Sequence, residues 1–366
     1  LYIIDRLDQN IVPFVNMDIS GDLLYKPNQL IKTSLPKIDL SLVTYNSEKW
    51  IKPFFESYKN LNYNLENINI HIHDNGSQDT TIDLIKEFIV EDKIFGSPVQ
   101  ISTSGNIGFG AGHNRNAQRS KSDFIWICNL DIEFIDKSLL QLVSFALQDS
   151  TQAAAWEFRQ TPYEHPKVYN PTTFETNWNS HACILIRKSA FDQIGGYDEN
   201  IFMYGEDVDF SYRLRDKNYI LRYCSFAPVI HHSYASENEF KLTQFYGGIF
   251  ATIYLRLKFG SLNNILKIPF IFIFLFYKKN HETVKKIEII KLIFKALSKT
   301  KSIYQYRKTH LSGKSIHFFS NWDYSIHRRG AFVKVAPIIS NDVPLLTVIT
   351  RTCPGRDFLL KESLCS

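Results

Sequence analysis

Four clusters in this 366-residue sequence have residue types and spacings suited to chemistry. Asp74-Asn75-Gly76-Ser77-Gln78-Asp79 reads either as a ligand-binding turn or as an ordinary strand-to-helix turn capped by Ser77 or Asp79. Gly105-Asn106-Ile107-Gly108-Phe109-Gly110-Ala111-Gly112-His113-Asn114 carries four glycines, which let backbone approach a ligand and donate amides to phosphate or ribose. It lacks the Gly-Lys-Ser/Thr of a Walker loop, and its spacing is not the dinucleotide fingerprint. Asn129-Leu130-Asp131-Ile132-Glu133 offers a carboxylate suited to Mg²⁺ or Mn²⁺, which take one or two carboxylates plus phosphate oxygens. The fourth cluster is Gly195-Gly196-Tyr197-Asp198-Glu199 followed by Gly205-Glu206-Asp207-Val208-Asp209. Three acids in four residues are costly to hold together unless cations or proton transfer use them, although a solvated helix start also favours carboxylates. His231-His232 follows an apolar stretch, and such a pair is more often structural than ligating.

These clusters sit between regular elements. Ile38–Val43, Ile68–His73, Val99–Thr103 and Phe124–Cys128 are apolar runs bounded by polar turns, the pattern of buried strands. Ser47 is placed to cap the helix after the first strand. Thr80–Glu91 is predicted helical, with Ile82, Leu84, Ile85, Phe88 and Ile89 on one face; Gly105–Gly112 is predicted as a loop and Asn114–Ser120 as a helix. Alternating strand and helix imply an open, mostly parallel α/β sheet. Ligands bind such sheets beyond the carboxyl ends of the strands, where Asp74 and Asp131 should converge.

Composition is that of an ordinary globular protein, rich in Phe and Tyr. The five cysteines have no close paired spacing, so neither a zinc knuckle nor a disulfide framework is expected, and a reducing, cytoplasmic setting is the simpler reading. The chain starts at Leu1 without a basic-then-apolar leader, which suggests a fragment and no signal peptide. Ile268–Tyr277, the most apolar stretch, falls short of the roughly 20 residues that span a bilayer. Between Ala251 and Lys314 stand 14 Lys and Arg against Glu282 and Glu288, near +12, in a chain whose net charge is +5. That asymmetry, on apolar faces that include Phe270 to Tyr277 and Ile287 to Phe294, predicts basic amphipathic helices that dock on an anionic membrane; the bland alternative is helices packed on the main domain with a solvated basic face.

Taken in this order, the clusters resemble the family 2 glycosyltransferases of GT-A fold, in the branch with bacterial rhamnosyltransferases and galactofuranosyltransferases. The resemblance covers about Lys37 to Ser236. Its most specific stretch runs from Cys183-Ile-Leu-Ile-Arg through Gly195-Gly-Tyr-Asp-Glu and Gly205-Glu-Asp-Val-Asp to Arg215. It implies a Rossmann-like, mostly parallel sheet flanked by helices, to which the charge pattern adds a helical basic C-terminal extension. It implies that Thr44, Asn46 and Asp74 hold the nucleotide base and ribose, and that Asn106, Gly108, Gly112 and His113 line nucleotide and sugar. Asn129-Leu130-Asp131 stands where the family has Asp-x-Asp; Asp131 would be the Mg²⁺ or Mn²⁺ ligand and Asn129 would touch ribose. His231, in preference to His232, matches a late histidine that supports metal or diphosphate. The general base would be Asp207, with Glu206 and Asp209 binding acceptor or orienting Asp207.

The implied reaction is inverting transfer of a hexose or deoxyhexose from a UDP- or dTDP-linked donor to a hydroxyl of a growing, lipid-linked bacterial surface glycan of the O-antigen or lipopolysaccharide type. A sugar nucleotidyltransferase is disfavoured because Thr44-Tyr45-Asn46-Ser47 replaces the Gly- and Arg/Lys-rich loop it would carry. A glycoside hydrolase leaves the metal-type acid and the glycine cluster unused, and a silent glycan- or partner-binding domain leaves Asp74, Asp131, Asp207 and His231 unexplained. No nucleic-acid partner is expected, and the enzyme is expected in the cytoplasm, peripheral on the inner face of the cytoplasmic membrane. The expected organisation is an N-terminal extension at 1–37, the transferase domain at 38–250, basic amphipathic helices at 251–335, and at 336–366 a linker and the start of a second transferase domain. The last expectation rests on an echo of the first strand at an offset of 306, where Leu40, Thr44 and Glu56-Ser57 meet Leu346, Thr350 and Glu362-Ser363.

Overall fold

The computed structural model describes residues 35–92, 99–162, 169–170, 172–233, 240–277 and 281–310. The N-terminal extension at 1–34, the helical region beyond 310 and the expected second domain lie outside them.

Four predicted strands form one half of the sheet: β1 (Ile38–Thr44), β2 (Ile68–Asp74), β3 (Val99–Thr103) and β4 (Phe124–Cys128). They lie in the order β3-β2-β1-β4, all parallel, with Thr44 opposite Asp74 and Leu42 opposite Cys128. Beyond β4 the sheet becomes mixed. It continues through β8 (Cys183–Arg187), β6 (Ala153–Thr161), β9 (Ile220–His231) and β5 (Ile132–Phe134), with the short β7 (Glu175–Thr176) also on β9. β8 runs antiparallel to both neighbours, whereas β6 and β9 are parallel to each other.

Period-2 alternation sorts the strands into two faces. Ile38, Leu40, Leu42, Trp126, Cys128 and Leu185 pack beneath α1 (Glu48–Lys59), α2 (Thr81–Asp92) and α4 (Ser138–Gln148). Ile125, Ile127, Ile184 and Ile186 face α3 (Phe109–Ala117), α5 (Lys188–Gln193) and α6 (Glu206–Asp216). β1 is polar on that second face. Ser41 accepts from Asn116 Nδ2 at 3.0 Å and meets His113 Nδ1 at 2.7 Å, both on α3.

Two local expectations change. Ser47 makes no capping bond; instead the helix starts of α1 and α2 cap each other. Asp79 accepts the Glu48 N–H at 3.2 Å, and Glu48 accepts the Thr80 N–H at 3.2 Å. The predicted glycine loop is already helical from Phe109, because glycine there allows close packing against the sheet. A Cβ on Gly112 would stand 2.8 Å from Val43 Cγ2, and one on Gly110 would stand 2.7 Å from Tyr197 Cβ.

The C-terminal helices are α7 (Leu242–Phe259), α8 (Leu262–Leu266), α9 (Ile268–Tyr277), α10 (Lys286–Ser298) and α11 (Thr300–His310). The expected domain boundary at 250/251 falls inside α7. The physical reason is a shared core: Ile253, Tyr254, Phe259, Ile289 and Ile303 pack with Trp178, Val208 and Tyr212 from the preceding part of the chain. Lys258, one of the basic residues expected at a membrane, is buried instead. Its ammonium lies 2.6 Å from Asp198 and 2.5 Å from Asp209, and Asp209 also takes Arg213 Nε at 2.6 Å. Arg307 of α11 donates to the carbonyls of Leu257, Lys258 and Gly260, closing the C-terminal end of α7.

Removing one partner from a buried ion pair leaves an uncompensated charge. Lys258→Met should therefore destabilise the fold by roughly 3–5 kcal/mol, measured by urea unfolding, with Lys258→Arg closer to wild type.

Candidate active site

The sequence-derived residues gather beyond the carboxyl ends of β1, β2 and β4, but in different roles. Asp74 is buried and organises the turn after β2: its carboxylate accepts the Gly76 N–H at 3.2 Å, the Ser77 N–H at 3.1 Å and the Ser77 hydroxyl at 2.6 Å. The turn reading of this cluster thus holds for Asp74 itself. Asn46 takes a positive φ of 49°, donates its N–H to Ser77 Oγ and accepts the Gln78 N–H at 2.8 Å. The turn after β1 is thereby locked to the turn after β2. Thr44 is buried, and its hydroxyl has no partner among the described residues.

Asn75, quoted in the first cluster but given no role, joins two clusters. It is buried, donates to the Gly108 carbonyl at 3.2 Å and accepts the Ile107 N–H at 3.4 Å. Asn106 is exposed and closes the same loop by accepting the Gly108 N–H at 3.1 Å. Gly108 sits at φ +92°, where a Cβ would stand 2.3 Å from the Phe202 carbonyl oxygen.

Gly108, Gly112 and His113 therefore need correction as ligand-lining residues. The glycines make room for protein, Phe202 and Val43 respectively. His113 is fully buried between Ser41 and the rings of Phe109 and Tyr197. Burial, with a smaller contribution from His73, pushes its imidazole down to about 3, so it is neutral under ordinary conditions.

Asp131 and His231 do come together. β5 pairs with β9 so that Ile132 lies opposite His231, which brings Asp131 Oδ1 to 3.4 Å from His231 Nε2. His231 Nδ1 lies 2.7 Å from Gln160 Oε1 of β6, a contact that orients the ring with Nε2 toward Asp131. Burial raises the Asp131 carboxyl, but His231 and Lys241 outweigh it and hold the group below the ordinary carboxylate range. Its side chain is still 24% exposed, enough for a ligand to reach. One carboxylate oxygen and one imidazole nitrogen, close together and oriented from behind, fit a divalent cation. Among the described residues no group of three or more His, Cys, Asp or Glu side chains surrounds a common point. His232 turns the other way: it meets Glu133 at 2.7 Å and stacks on Trp50. Gln160 and Trp50 went unread in the sequence; the polar run Glu157–Gln160 within an otherwise apolar stretch was the available signal.

The acidic cluster divides by burial. Asp209 is fully buried with both oxygens engaged by Lys258 and Arg213, so an acceptor-binding role for it is corrected to a structural one. Glu206 is also buried, and its Oε2 has no partner. Burial, then the neighbouring Asp207 and Asp209 carboxylates, push Glu206 up to about 8. Asp207 alone of the three is partly exposed. Gly205, at φ +101°, supplies the left-handed turn that starts α6 and directs these acids. The cluster lies next to the end of β4: Asn129 N–H donates to the Ala182 carbonyl, the adjacent His181 bonds the Tyr197 hydroxyl, and that hydroxyl feels both Glu206 and Asp207. Asn129 itself is partly exposed beside Asp131.

Residues 40–209 match the family model described as "Glycosyl transferase family 2". That match spans the sheet and its flanking helices as far as Asp209, a little under half of the chain. It is 42% identical over 72 residues to N-acetylglucosaminyl-diphospho-decaprenol L-rhamnosyltransferase of Mycobacterium tuberculosis, a match spanning 20% of this chain and only 23% of that relative. It is 24% identical over 236 residues to the low-salt glycan biosynthesis hexosyltransferase Agl10 of Haloferax volcanii, covering 57% of this chain and 72% of that one. A solved mannosyltransferase, PcManGT from Pyrobaculum calidifontis in complex with GDP-Man and Mn²⁺, aligns over 77% of both chains at 10% identity and a TM-score of 0.47.

Between its ordinary value near 4.5 and about 8, folded Glu206 keeps a proton that the unfolded chain has lost. Stability due to this group therefore falls as pH rises through that window. Glu206→Gln should remove the fall, becoming more stable than wild type by a margin that grows up to about pH 8, as urea unfolding across pH will measure.

Proposed function

We infer that this domain is a metal-dependent, inverting glycosyltransferase. It takes a hexose or deoxyhexose from a UDP- or dTDP-linked donor to a hydroxyl of a growing, lipid-linked bacterial surface glycan. The observation that carries the reading is the Asp131–His231 pair, oriented by Gln160 at the end of the sheet of a family 2 domain. The mycobacterial relative's name, with its diphospho-decaprenol acceptor and rhamnosyl group, supports the sugar class and the lipid-linked acceptor.

Each residue then has a task. Asp131 and His231 would hold Mg²⁺ or Mn²⁺, and imidazole favours Mn²⁺ over Mg²⁺, which prefers oxygen ligands. When bound, the ion offsets the charge of the departing nucleoside diphosphate. The turn around Thr44, Asn46 and Asp74 takes the base and ribose, with Asn106 and Asn129 at its edge. Asp207 accepts the proton of the attacking acceptor hydroxyl as the oxygen forms its bond to the anomeric carbon and the diphosphate leaves from the opposite face. Glu206 stays protonated behind it, so the site holds one general base. A working place on the inner face of the cytoplasmic membrane fits a lipid-linked acceptor.

Two substitutions separate these tasks. Asp131→Ala should abolish the metal-dependent part of donor binding, measured by titration calorimetry with and without Mn²⁺; unchanged affinity with the ion present would remove Asp131 from this role. Asp207→Asn should lower transfer by about 10²–10⁴-fold with donor affinity nearly intact, measured by single-turnover kinetics.

A further inference from the structure

α8, α9 and α10 carry most of the exposed large apolar side chains among the described residues. Leu266 is 59% exposed, Phe270 71%, Phe274 60%, Tyr277 79%, Ile287 55% and Phe294 67%. α9 reads Ile-Pro-Phe-Ile-Phe-Ile-Phe-Leu-Phe-Tyr. It is anchored from below, since Ile268 is buried and Phe272 and Leu275 pack on the core of α7 and α10. Its outward residues therefore leave the protein on a fixed base. Exposed apolar surface of this kind marks an interaction site.

Charge indicates what covers it. Residues 262–310 hold eleven Lys and Arg against two acids. Lys267, Lys285, Lys286, Lys291 and Lys295 are exposed on the same helices. A second copy would bring two such fields together, whereas an anionic surface would complement them. Length excludes a crossing: α9 has ten residues, about 15 Å at the usual rise, half of the roughly 30 Å hydrocarbon core. No described helix is long and apolar enough to span a membrane. Apolar side chains on a short helix rimmed by lysine suit the boundary between headgroups and acyl chains.

We propose that α8, α9 and α10 form an interfacial anchor that inserts Phe270, Phe274 and their neighbours into the surface of an anionic lipid bilayer while the lysines bind the headgroups. The proposal rests on the membrane setting of the proposed function and names the side chains that reach the lipid. Vesicle binding requires neither donor nor metal, so it can fail without affecting the transferase reading, and the reverse also holds.

The test is co-sedimentation of the full chain with phosphatidylcholine/phosphatidylglycerol vesicles, compared with phosphatidylcholine alone and with rising salt. Wild type should bind the anionic vesicles, more weakly but still measurably at high salt. Phe270→Asp/Phe274→Asp should lower the partition constant at least about tenfold, with unchanged donor affinity and melting temperature. Both side chains are exposed, so the variant should fold. Equal partitioning of the variant and wild type overturns the proposal. So does a wild type that ignores lipid but sediments as a dimer that the variant dissociates, because the patch would then join two copies. A variant that melts lower without any change in lipid binding also overturns it, by placing the patch under another part of the chain.

Discussion

The buried ion network of Lys258, Asp209, Arg213 and Asp198 is the constraint on which the rest of this structure depends. Three carboxylates open α6, and two of them, Glu206 and Asp209, are removed from water. Like charges this close cannot all stay ionised in a poorly solvated setting. Asp209 is balanced by one cation from its own helix and one from α7, Glu206 takes up a proton, and Asp207 stays at the surface. Arg213 also donates to the carbonyls of Ile194 and Gly196, so the same cations fix the Gly195–Asp198 turn against α6. Asp207, the one partly exposed carboxylate of the three, thus stands beside two neutralised neighbours.

That network makes the C-terminal helices part of one packed unit with α6 and the sheet. Lys258 lies near the end of α7, and Arg307 of α11 closes that helix by donating to the carbonyls of Leu257, Lys258 and Gly260. A basic residue that composition assigns to the surface is a counterion of α6. The outward faces of α8 to α10 are consequently held at a fixed position on the unit that bears Asp207.

Much of this was legible in the sequence where local rules suffice. The four parallel strands follow from apolar runs bounded by polar turns, and Asp131 and His231 followed from resemblance and meet in space. The misses share a cause: they depend on what lies across a packed interface. Gly112 and His113 read as ligand contacts because glycine permits close approach, but the partner is Val43 and the sheet. Asp209 looks like a third active-site acid until Lys258, 49 residues away, is seen beside it. Gln160 lies on β6, a strand whose polar residues hide its periodicity, and nothing local pairs it with His231.

The central claim is that these residues move a sugar from a nucleotide to a hydroxyl. The most direct measurement is release of nucleoside diphosphate from a panel of UDP-, dTDP- and GDP-sugars, with Mn²⁺ or after chelation, and with or without a lipid-linked glycan acceptor. The account predicts release from one donor class that requires the ion and is accelerated by acceptor. Absence of release from every donor, or release that is indifferent to both metal and acceptor, would contradict it.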